Sequence, residues 1–413
     1  MNEPRVDVIQ LQKRDPAAWS ALLSSHIGLE DVVVTAVTAQ PLRYNASAST
    51  YSRRVTRYLL SLDNHTDPIT FIGKRTTPFE AYFYRDLADQ LPFVAPRCWF
   101  LHVAEDVGWV ILDDVPNHVH RDDWTAVDID DALRNLAQMH AKFWGKIDLQ
   151  TKSPWLTHFI DKQEITYTFE DLRHEQSQYF EEGPAALLSE HAIQNSGRLA
   201  PRLLAAANGL IVMRDLGGWP GVLGESHLAA AADLIDDPVP ILEPLLNLPI
   251  TLLHGNPHTY HWHLTLFDEQ RLLDWRDVTT GPGICDLVNF QEQFDLLYAR
   301  NGTVYVHVRH DSPATVETII DSYILSMKAE LGSNFDARAF RLALPAARCL
   351  HVILNWFPMF ASWFDQMPSK FTWQRVNRMS DAELIGTSMQ PLIGYRPYLR
   401  TVFQRFLQAY RML

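Results

Sequence analysis

The stretch LLHGNPHTYHWHLTLFDEQRLLDWRDVTTGPGICDLVNF, residues 252–290, decides the fold of this chain. A His-Gly pair follows its first two leucines, and its middle reads as two short strands around a turn at Asp268 and Glu269. Apolar runs on both sides of such a turn predict a hairpin. The second strand ends at Asp274, so we expect this carboxylate to lie where the hairpin ends.

Upstream of this stretch, segments rich in β-branched and aromatic residues predict strands. The order is three strands, one helix and two further strands, over residues 32–39, 50–62, 69–74, 79–91, 99–103 and 109–115. Beyond residue 115 the apolar spacing is mostly helical. Ser312 and Pro313 are predicted to open one of these helices as N-cap and first helical residue. The sequence therefore predicts an α+β protein with a small β-rich lobe followed by a large, mostly helical lobe.

Residues 252–290 resemble the catalytic core of the aminoglycoside phosphotransferase and choline kinase group, which has the protein-kinase-like fold. The residues that carry the resemblance are His254, Gly255, His258, Asp274, Trp275, Gly281, Pro282, Asp286 and Leu287. It implies a bilobal fold with a nucleotide-binding lobe over 1–115. Residues 116–413 would form the helical lobe, with the catalytic-loop region 252–290 and a substrate subdomain.

The resemblance also implies a phosphate-binding lysine on the third strand and a glutamate that orients it. Lys74 ends the segment ITFIGK, and Glu80 follows six residues later in the predicted helix. Asp274 would be the carboxylate that binds Mg²⁺, and Asp113 would lie at the nucleotide-binding hinge. The implied cofactors are ATP, or another nucleoside triphosphate, and Mg²⁺. Taken alone, Lys74 and Glu80 would more often be a surface ion pair.

The chain departs from the family pattern at three places. Asn256 occupies the position of the catalytic aspartate, and an amide is not a base near neutral pH. His261 occupies the position of the metal-binding asparagine, which makes it a weak metal ligand because Mg²⁺ prefers oxygen. The phosphate-covering turn has no glycine, and Ser47 and Ser49 are the small residues left to approach the phosphates.

Two functions follow from this pattern. The first is phosphoryl transfer from ATP to a hydroxyl of a small molecule, weakened by Asn256 and His261. The second is a catalytically dead relative that binds nucleotide or another ligand and acts through a partner. A zinc hydrolase is a weaker third possibility, because closely spaced histidines can share one metal ion. Those histidines are His254, His258, His261 and His263.

The C-terminal region bears on the acceptor. Residues 336–413 contain ten Lys and Arg against four Asp and Glu, a balance of +6. Desolvated ammonium groups need counter-charges, so we expect an acceptor other than an aminoglycoside. The aromatic run at 356–364 is read as helix core, with a substrate wall or an ammonium cage as the alternative.

The amino-acid composition bears on the ligands and the compartment of the protein. The net charge of −13 disfavours general binding of nucleic acid or of an anionic membrane. Three cysteines without a CxxC spacing fit a reducing compartment. The N-terminus lacks the apolar core of a signal peptide, and the most apolar run, 350–364, is too short to span a bilayer. We therefore expect a cytoplasmic protein.

Overall fold

A computed structural model gives the fold of the chain. It describes residues 7–26, 29, 31–42, 55–63, 65–115, 119–146, 148–160, 167–168, 170–172, 188–265, 269–294, 296–298, 306–308, 311–364, 370–387, 389–390 and 392–413. Two compact units result, and each combines segments that are distant in sequence. The first unit contains residues 1–120 and 260–278, and the second contains 121–259 and 279–413. The sequence-based division had placed all of 116–413 in the second lobe.

The first unit is built on an antiparallel sheet of five strands in the order β1-β2-β3-β5-β4. Its strands are β1 Val34–Leu42, β2 Val55–Leu62, β3 Ile69–Thr76, β4 Cys98–Ala104 and β5 Val107–Asp113. Its helices are α1 Val8–Gln12, α2 Pro16–Ser24 and α3 Pro78–Asp86. Helix α3 lies between β3 and β4, so the predicted order of three strands, one helix and two strands is confirmed.

Helix α2 covers one face of this sheet. The fully buried indole of Trp19 lies with its ring centroid 4.9 Å from Tyr58 and 5.9 Å from Phe71. The Trp19 indole N–H donates to the carbonyl of Leu11 at 3.1 Å, so the ring is buried with its polar atom paired. This aromatic contact fixes the N-terminal helices on the sheet that carries Lys74.

The hairpin expected around residues 268 and 269 also belongs to the first unit. Strand β7, Trp262–Leu264, pairs antiparallel with β8, Gln270–Leu272. The backbone N–H of Leu272 donates to the carbonyl of Val94 at 2.8 Å. Through this bond the late hairpin attaches to the chain between α3 and β4, within the first unit.

The second unit is mostly helical, which confirms the α+β class. Its helices are α4 Ala126–Lys142, α5 Asp148–Lys152, α6 Glu190–Ser196, α7 Ala200–Leu216, α8 Glu225–Asp236, α9 Val239–Leu246, α10 Ile284–Gln293, α11 Val316–Leu331, α12 Ala337–Leu342, α13 Leu344–Asn355, α14 Phe357–Phe364, α15 Lys370–Arg378, α16 Asp381–Leu384 and α17 Leu392–Tyr410. Its short strands form two pairs, β6 Ile250–Leu253 with β9 Thr279–Pro282, and β10 Leu296–Tyr298 with β11 Val306–Val308.

One predicted helix start is wrong. Helix α11 begins at Val316 with Thr315 as its N-cap, and not at Pro313. The Thr315 hydroxyl accepts a hydrogen bond from the backbone N–H of Thr318 at 3.1 Å. The Ser312 hydroxyl instead donates to the carbonyl of Ala314 at 2.8 Å, so it caps no helical N–H in this arrangement.

The aromatic run contributes to the core of the second unit. Trp356, Phe357 and Phe360 are buried, and the Phe360 ring lies 5.8 Å from the ring of Phe403 on α17. These three side chains follow the helix-core interpretation and not the ammonium cage. Across the described part of the chain, no helix is both long and apolar enough to cross a membrane.

Candidate active site

Lys74 and Glu80 are brought together where β3 turns into α3. Thr77 is the N-cap of α3 and Pro78 its first residue, which ends the strand and starts the helix within two positions. Glu80 therefore lies in the first helical turn, where its carboxylate is fully buried. The Thr76 hydroxyl donates to this carboxylate. The carboxylate of Glu80 is thus held by Thr76, a residue close to it in sequence.

The ammonium group of Lys74 lies between two carboxylates. Its Nζ atom is 2.8 Å from Oε1 of Glu80 and 2.6 Å from Oδ1 of Asp274. Burial lowers the pKa of Lys74, but the charges of Asp274 and Glu80 outweigh it, so the pKa lies above its ordinary value. The amine therefore stays protonated at neutral pH. Lys74, Glu80 and Asp274 thus lie together within the first unit.

The backbone around Asp274 is fixed by the residue that follows it. The Trp275 backbone N–H donates to Oε1 of Glu80 at 3.1 Å, and its buried indole stacks on Phe83 with ring centroids 3.9 Å apart. Asp274 itself has φ +67° and ψ +63°, the left-handed region. Aspartate tolerates this conformation better than most residues, at a cost of about 1 kcal/mol. The turn aims its carboxylate at Lys74.

Two further side chains bind the carboxylate of Asp274. The Arg276 guanidinium forks onto it, with Nε 2.5 Å from Oδ1 and a terminal nitrogen 2.6 Å from Oδ2. Nε2 of His261 lies 3.3 Å from Oδ2. Burial raises the pKa of Asp274, but the charge of Lys74 and the bonds from His261 and Arg276 hold it well below its usual range. The carboxylate is therefore ionised and surrounded by nitrogen donors.

This arrangement does not suit Mg²⁺. A carboxylate offers about four lone-pair sites, and four nitrogen atoms of Lys74, Arg276 and His261 already face the two oxygens of Asp274. Mg²⁺ prefers near-octahedral oxygen ligands. Over the ranges that the structure describes, no three His, Cys, Asp or Glu side chains are placed to share a metal ion. Asp274 and His261 do meet, but His261 contacts the carboxylate as a hydrogen-bonding partner.

Asn256 lies in the second unit, on a loop that Asp286 braces. The backbone N–H groups of His254 and Gly255 donate to Asp286 at 2.7 and 3.0 Å. Gly255 has φ +85°, a conformation that favours glycine. The Asn256 backbone N–H donates to Nδ1 of the buried His254 at 3.3 Å. His254 and Asp286 thus maintain the loop.

The back of this loop is fixed by His140 of α4. Its Nε2 lies 3.3 Å from Asp286 and its Nδ1 lies 2.6 Å from the hydroxyl of Tyr323. Thr251, on the strand that leads into the loop, donates to the carbonyl of His140 at 2.6 Å. The loop therefore rests on a hydrogen-bonded network inside the second unit.

Asp113, the remaining predicted nucleotide-binding residue that the structure describes, has another partner. Asp113 ends β5, and its carboxylate accepts from the indole N–H of Trp99 at 2.6 Å. Its neighbour Asp114 pairs with Arg57 at 2.6 Å. Ser47 and Ser49 lie outside the described residues. A nucleotide-binding function for these positions stays a prediction.

Sequence reasoning missed two members of the cluster, Arg276 and Thr76. Both are close neighbours in sequence of residues that it did identify, Asp274 and Glu80. An arginine two positions after a carboxylate is a signal for a local ion pair, although it does not show which carboxylate the arginine binds. Thr76 lies four positions before Glu80, on the other side of the N-cap of α3, and its hydroxyl reaches the Glu80 carboxylate.

Neither a family model nor a curated protein sequence matches this chain. Among solved structures, a choline kinase from Cryptosporidium parvum is 12% identical, with 96% of each chain covered and a TM-score of 0.49. A choline kinase from Streptococcus pneumoniae is 10% identical, with 98% of each chain covered and a TM-score of 0.42. An amicoumacin kinase solved with AMP-PNP and Ca²⁺ is 13% identical over 97% of this chain and 94% of its own, with a TM-score of 0.46. These kinases are solved structures to which the chain is similar, at a low sequence identity.

Proposed function

We propose that this protein binds a nucleoside triphosphate through Lys74 and transfers its γ-phosphoryl group to a hydroxyl of a small molecule, at a slow rate. The observation that carries the proposal is the position of Lys74 between Glu80 and Asp274. Two carboxylates hold the ammonium group in one position. Because the side chain is already ordered, little conformational entropy is lost when a phosphate binds to it.

The slow rate follows from Asn256. In phosphoryl transfer a carboxylate at this position orients the attacking hydroxyl and accepts its proton. The amide of Asn256 has the size and shape of that group, so it can bind a hydroxyl but cannot take up its proton. Loss of a general base typically costs about 10²–10⁴-fold in rate. Transfer is therefore weakened, and the proton must leave to water or to substrate.

The alternative is a protein that binds nucleotide, transfers nothing and acts through a partner. Asn256 and His261 favour it, because both positions depart from the catalytic pattern that the family resemblance implies. The two functions differ in one measurable property, ATP turnover in the presence of an acceptor.

The acceptor is proposed to be a small molecule without several ammonium groups. The excess of Lys and Arg over residues 336–413 supplies few counter-charges for a polyamine. An apolar or anionic hydroxyl compound suits this region better. We therefore expect no phosphorylated product when kanamycin is the acceptor in a turnover assay. Efficient phosphorylation of kanamycin would contradict this assignment.

Replacing Lys74 by methionine is expected to weaken ATP binding by at least about tenfold. The variant keeps the length of the side chain and removes a charged donor to phosphate, which costs about 1.5 kcal/mol or more. The measurement is the dissociation constant of a fluorescent ATP analogue, with thermal unfolding to verify that the variant is folded.

The matched control is Lys142→Met, which removes an exposed lysine from α4. Its dissociation constant is expected to equal that of the wild type. A wild-type protein that binds no ATP, or a folded Lys74→Met variant that binds as tightly as the wild type, contradicts the proposed nucleotide site.

Replacing Asn256 by aspartate is expected to raise ATP turnover, by less than the full general-base factor of about 10²–10⁴. The gain is partial because His261 also departs from the family pattern. Adding His261→Asn is expected to raise turnover by more than the product of the single effects, since both positions act on one transfer step. The measurement is ATP hydrolysis by the wild type, both single variants and the double variant.

Asn247→Asp, at an exposed position of the second unit, adds the same charge away from the loop and serves as the control. A wild type that already turns over at ordinary kinase rates of about 1–100 s⁻¹ would show that Asn256 is no handicap.

A further inference from the structure

The guanidinium group of Arg276 binds Asp274, the carboxylate that the family resemblance implies as the Mg²⁺ ligand. It makes two hydrogen bonds to Asp274, one to each carboxylate oxygen. We infer that Arg276 supplies the positive charge that a divalent cation supplies in other phosphoryl-transfer sites, so that this protein binds nucleotide phosphates without a metal. This inference rests on the proposed nucleotide site at Lys74.

The charges of the cluster support this inference. The positive charge of Lys74 faces the negative charges of Glu80 and Asp274, so these three groups have a net charge of −1. Such a cluster repels a triphosphate unless a cation is added. Arg276 brings the sum to zero. Burial lowers the pKa of Arg276, but the bond and the charge of Asp274 raise it above its ordinary value, so the guanidinium remains charged.

The geometry leaves a metal ion little access to Asp274. Mg²⁺ binds a carboxylate oxygen at about 2.0–2.1 Å. At either oxygen of Asp274 it would lie close to nitrogen atoms that are themselves 2.5 to 2.6 Å from that oxygen. A double positive charge beside Lys74 and Arg276 is strongly unfavourable in a partly buried cluster. The metal would have to displace the arginine and leave it without its carboxylate.

The fork of Arg276 is also held in position before any ligand arrives. Arg276 lies in a short 3₁₀ helix, Trp275–Asp277, that directly follows Asp274. The buried ring of Trp275, stacked on Phe83, fixes the start of this turn. The arginine therefore reaches Asp274 with little loss of conformational freedom, and its planar fork suits phosphate oxygens as well as carboxylates.

The experiment measures the dissociation constant of ATP for the full chain with excess EDTA and with excess Mg²⁺. For the wild type the two values are expected to agree within about threefold, which corresponds to less than about 0.7 kcal/mol. For Arg276→Gln we expect binding to weaken by about tenfold or more in EDTA, or about 1.4 kcal/mol. Added Mg²⁺ is expected to restore most of this loss, because Asp274 is then open to the metal. The control is Arg271→Gln, which removes an arginine of β8 that pairs with Glu269 at the surface and should change neither value.

The outcomes separate the two proposals. Wild-type protein that binds ATP in neither condition overturns the nucleotide site and this inference with it. Wild-type protein that binds only with Mg²⁺ overturns the inference alone and leaves the nucleotide site standing. Arg276→Gln that binds like the wild type in EDTA also overturns it. If Arg276→Gln does not fold, Arg276→Lys replaces it, since lysine keeps the charge and loses the fork. We then expect about threefold weaker binding in EDTA, and an unchanged value overturns the inference.

Discussion

Replacing Asp286 by alanine is expected to lower the free energy of unfolding by about 3–5 kcal/mol. The carboxylate is almost fully buried and accepts from the backbone N–H groups of His254 and Gly255. Its removal leaves two buried donors without an acceptor and takes from His140 the group that its Nε2 faces. Urea denaturation followed by circular dichroism measures the loss.

Asp321→Ala provides the matched control for this prediction. Asp321 lies on α11 of the same unit and pairs with Arg341 at an exposed position, where ion pairs contribute about 1 kcal/mol or less. Any turnover of the wild type should also fall in Asp286→Ala, because the loop that carries Asn256 loses its brace. A free energy of unfolding within about 1 kcal/mol of the wild type would show that the loop is held by other groups.

Replacing Gly209 by alanine is the second change with a large expected effect. Gly209 lies in α7 where this helix packs against α14. A Cβ atom there would overlap the carbonyl oxygen of Phe357 and lie 2.5 Å from its carbonyl carbon. These are backbone atoms, so no side-chain rotation relieves the overlap and the two helices must move apart. We expect a loss of about 3 kcal/mol or more, measured by thermal or urea unfolding.

The control for this change is Gly224→Ala, at the exposed start of α8. A Cβ atom at Gly224 meets no atom within 4 Å, and the residue has an ordinary φ of −125°. Alanine there should change the free energy of unfolding by less than about 1 kcal/mol. Equal stability of both variants would mean that α7 and α14 do not pack as closely as the structure shows.

The core of the candidate site could be predicted because its residues are placed by local rules. Lys74 lies two residues before the end of β3, Glu80 follows a helix cap, and Asp274 follows the end of β8 by two residues, so their types and order suffice to relate them. The start of α11 could not be predicted in the same way, because Ser312 and Thr315 are both good caps. The choice between them depends on which hydroxyl accepts and which one donates.

Two other features depend on contacts that no local pattern encodes. The sequence places Arg276 beside Asp274 but also beside Asp277, and only the folded turn selects its partner. The hairpin 260–278 follows a long helical stretch, so sequence order assigns it to the second lobe. Its attachment at Val94 and Glu80, through single backbone N–H groups, assigns it to the first unit.

The first unit is made of two segments that are distant in sequence, and this affects how it folds during synthesis on the ribosome. A ribosome adds about 5–20 residues per second, so residue 260 emerges about 7–28 s after residue 120. During that interval Phe83 lacks the indole that covers it, and the buried carboxylate of Glu80 lacks the backbone donor of Trp275. The first unit thus stays incomplete until residues 260–278 are made, and the ion pair between Lys74 and Asp274 forms only after two thirds of the chain exists. A fragment that ends at His120 would therefore lack the Trp275 indole that stacks on Phe83, and it would lack Asp274, the partner of Lys74.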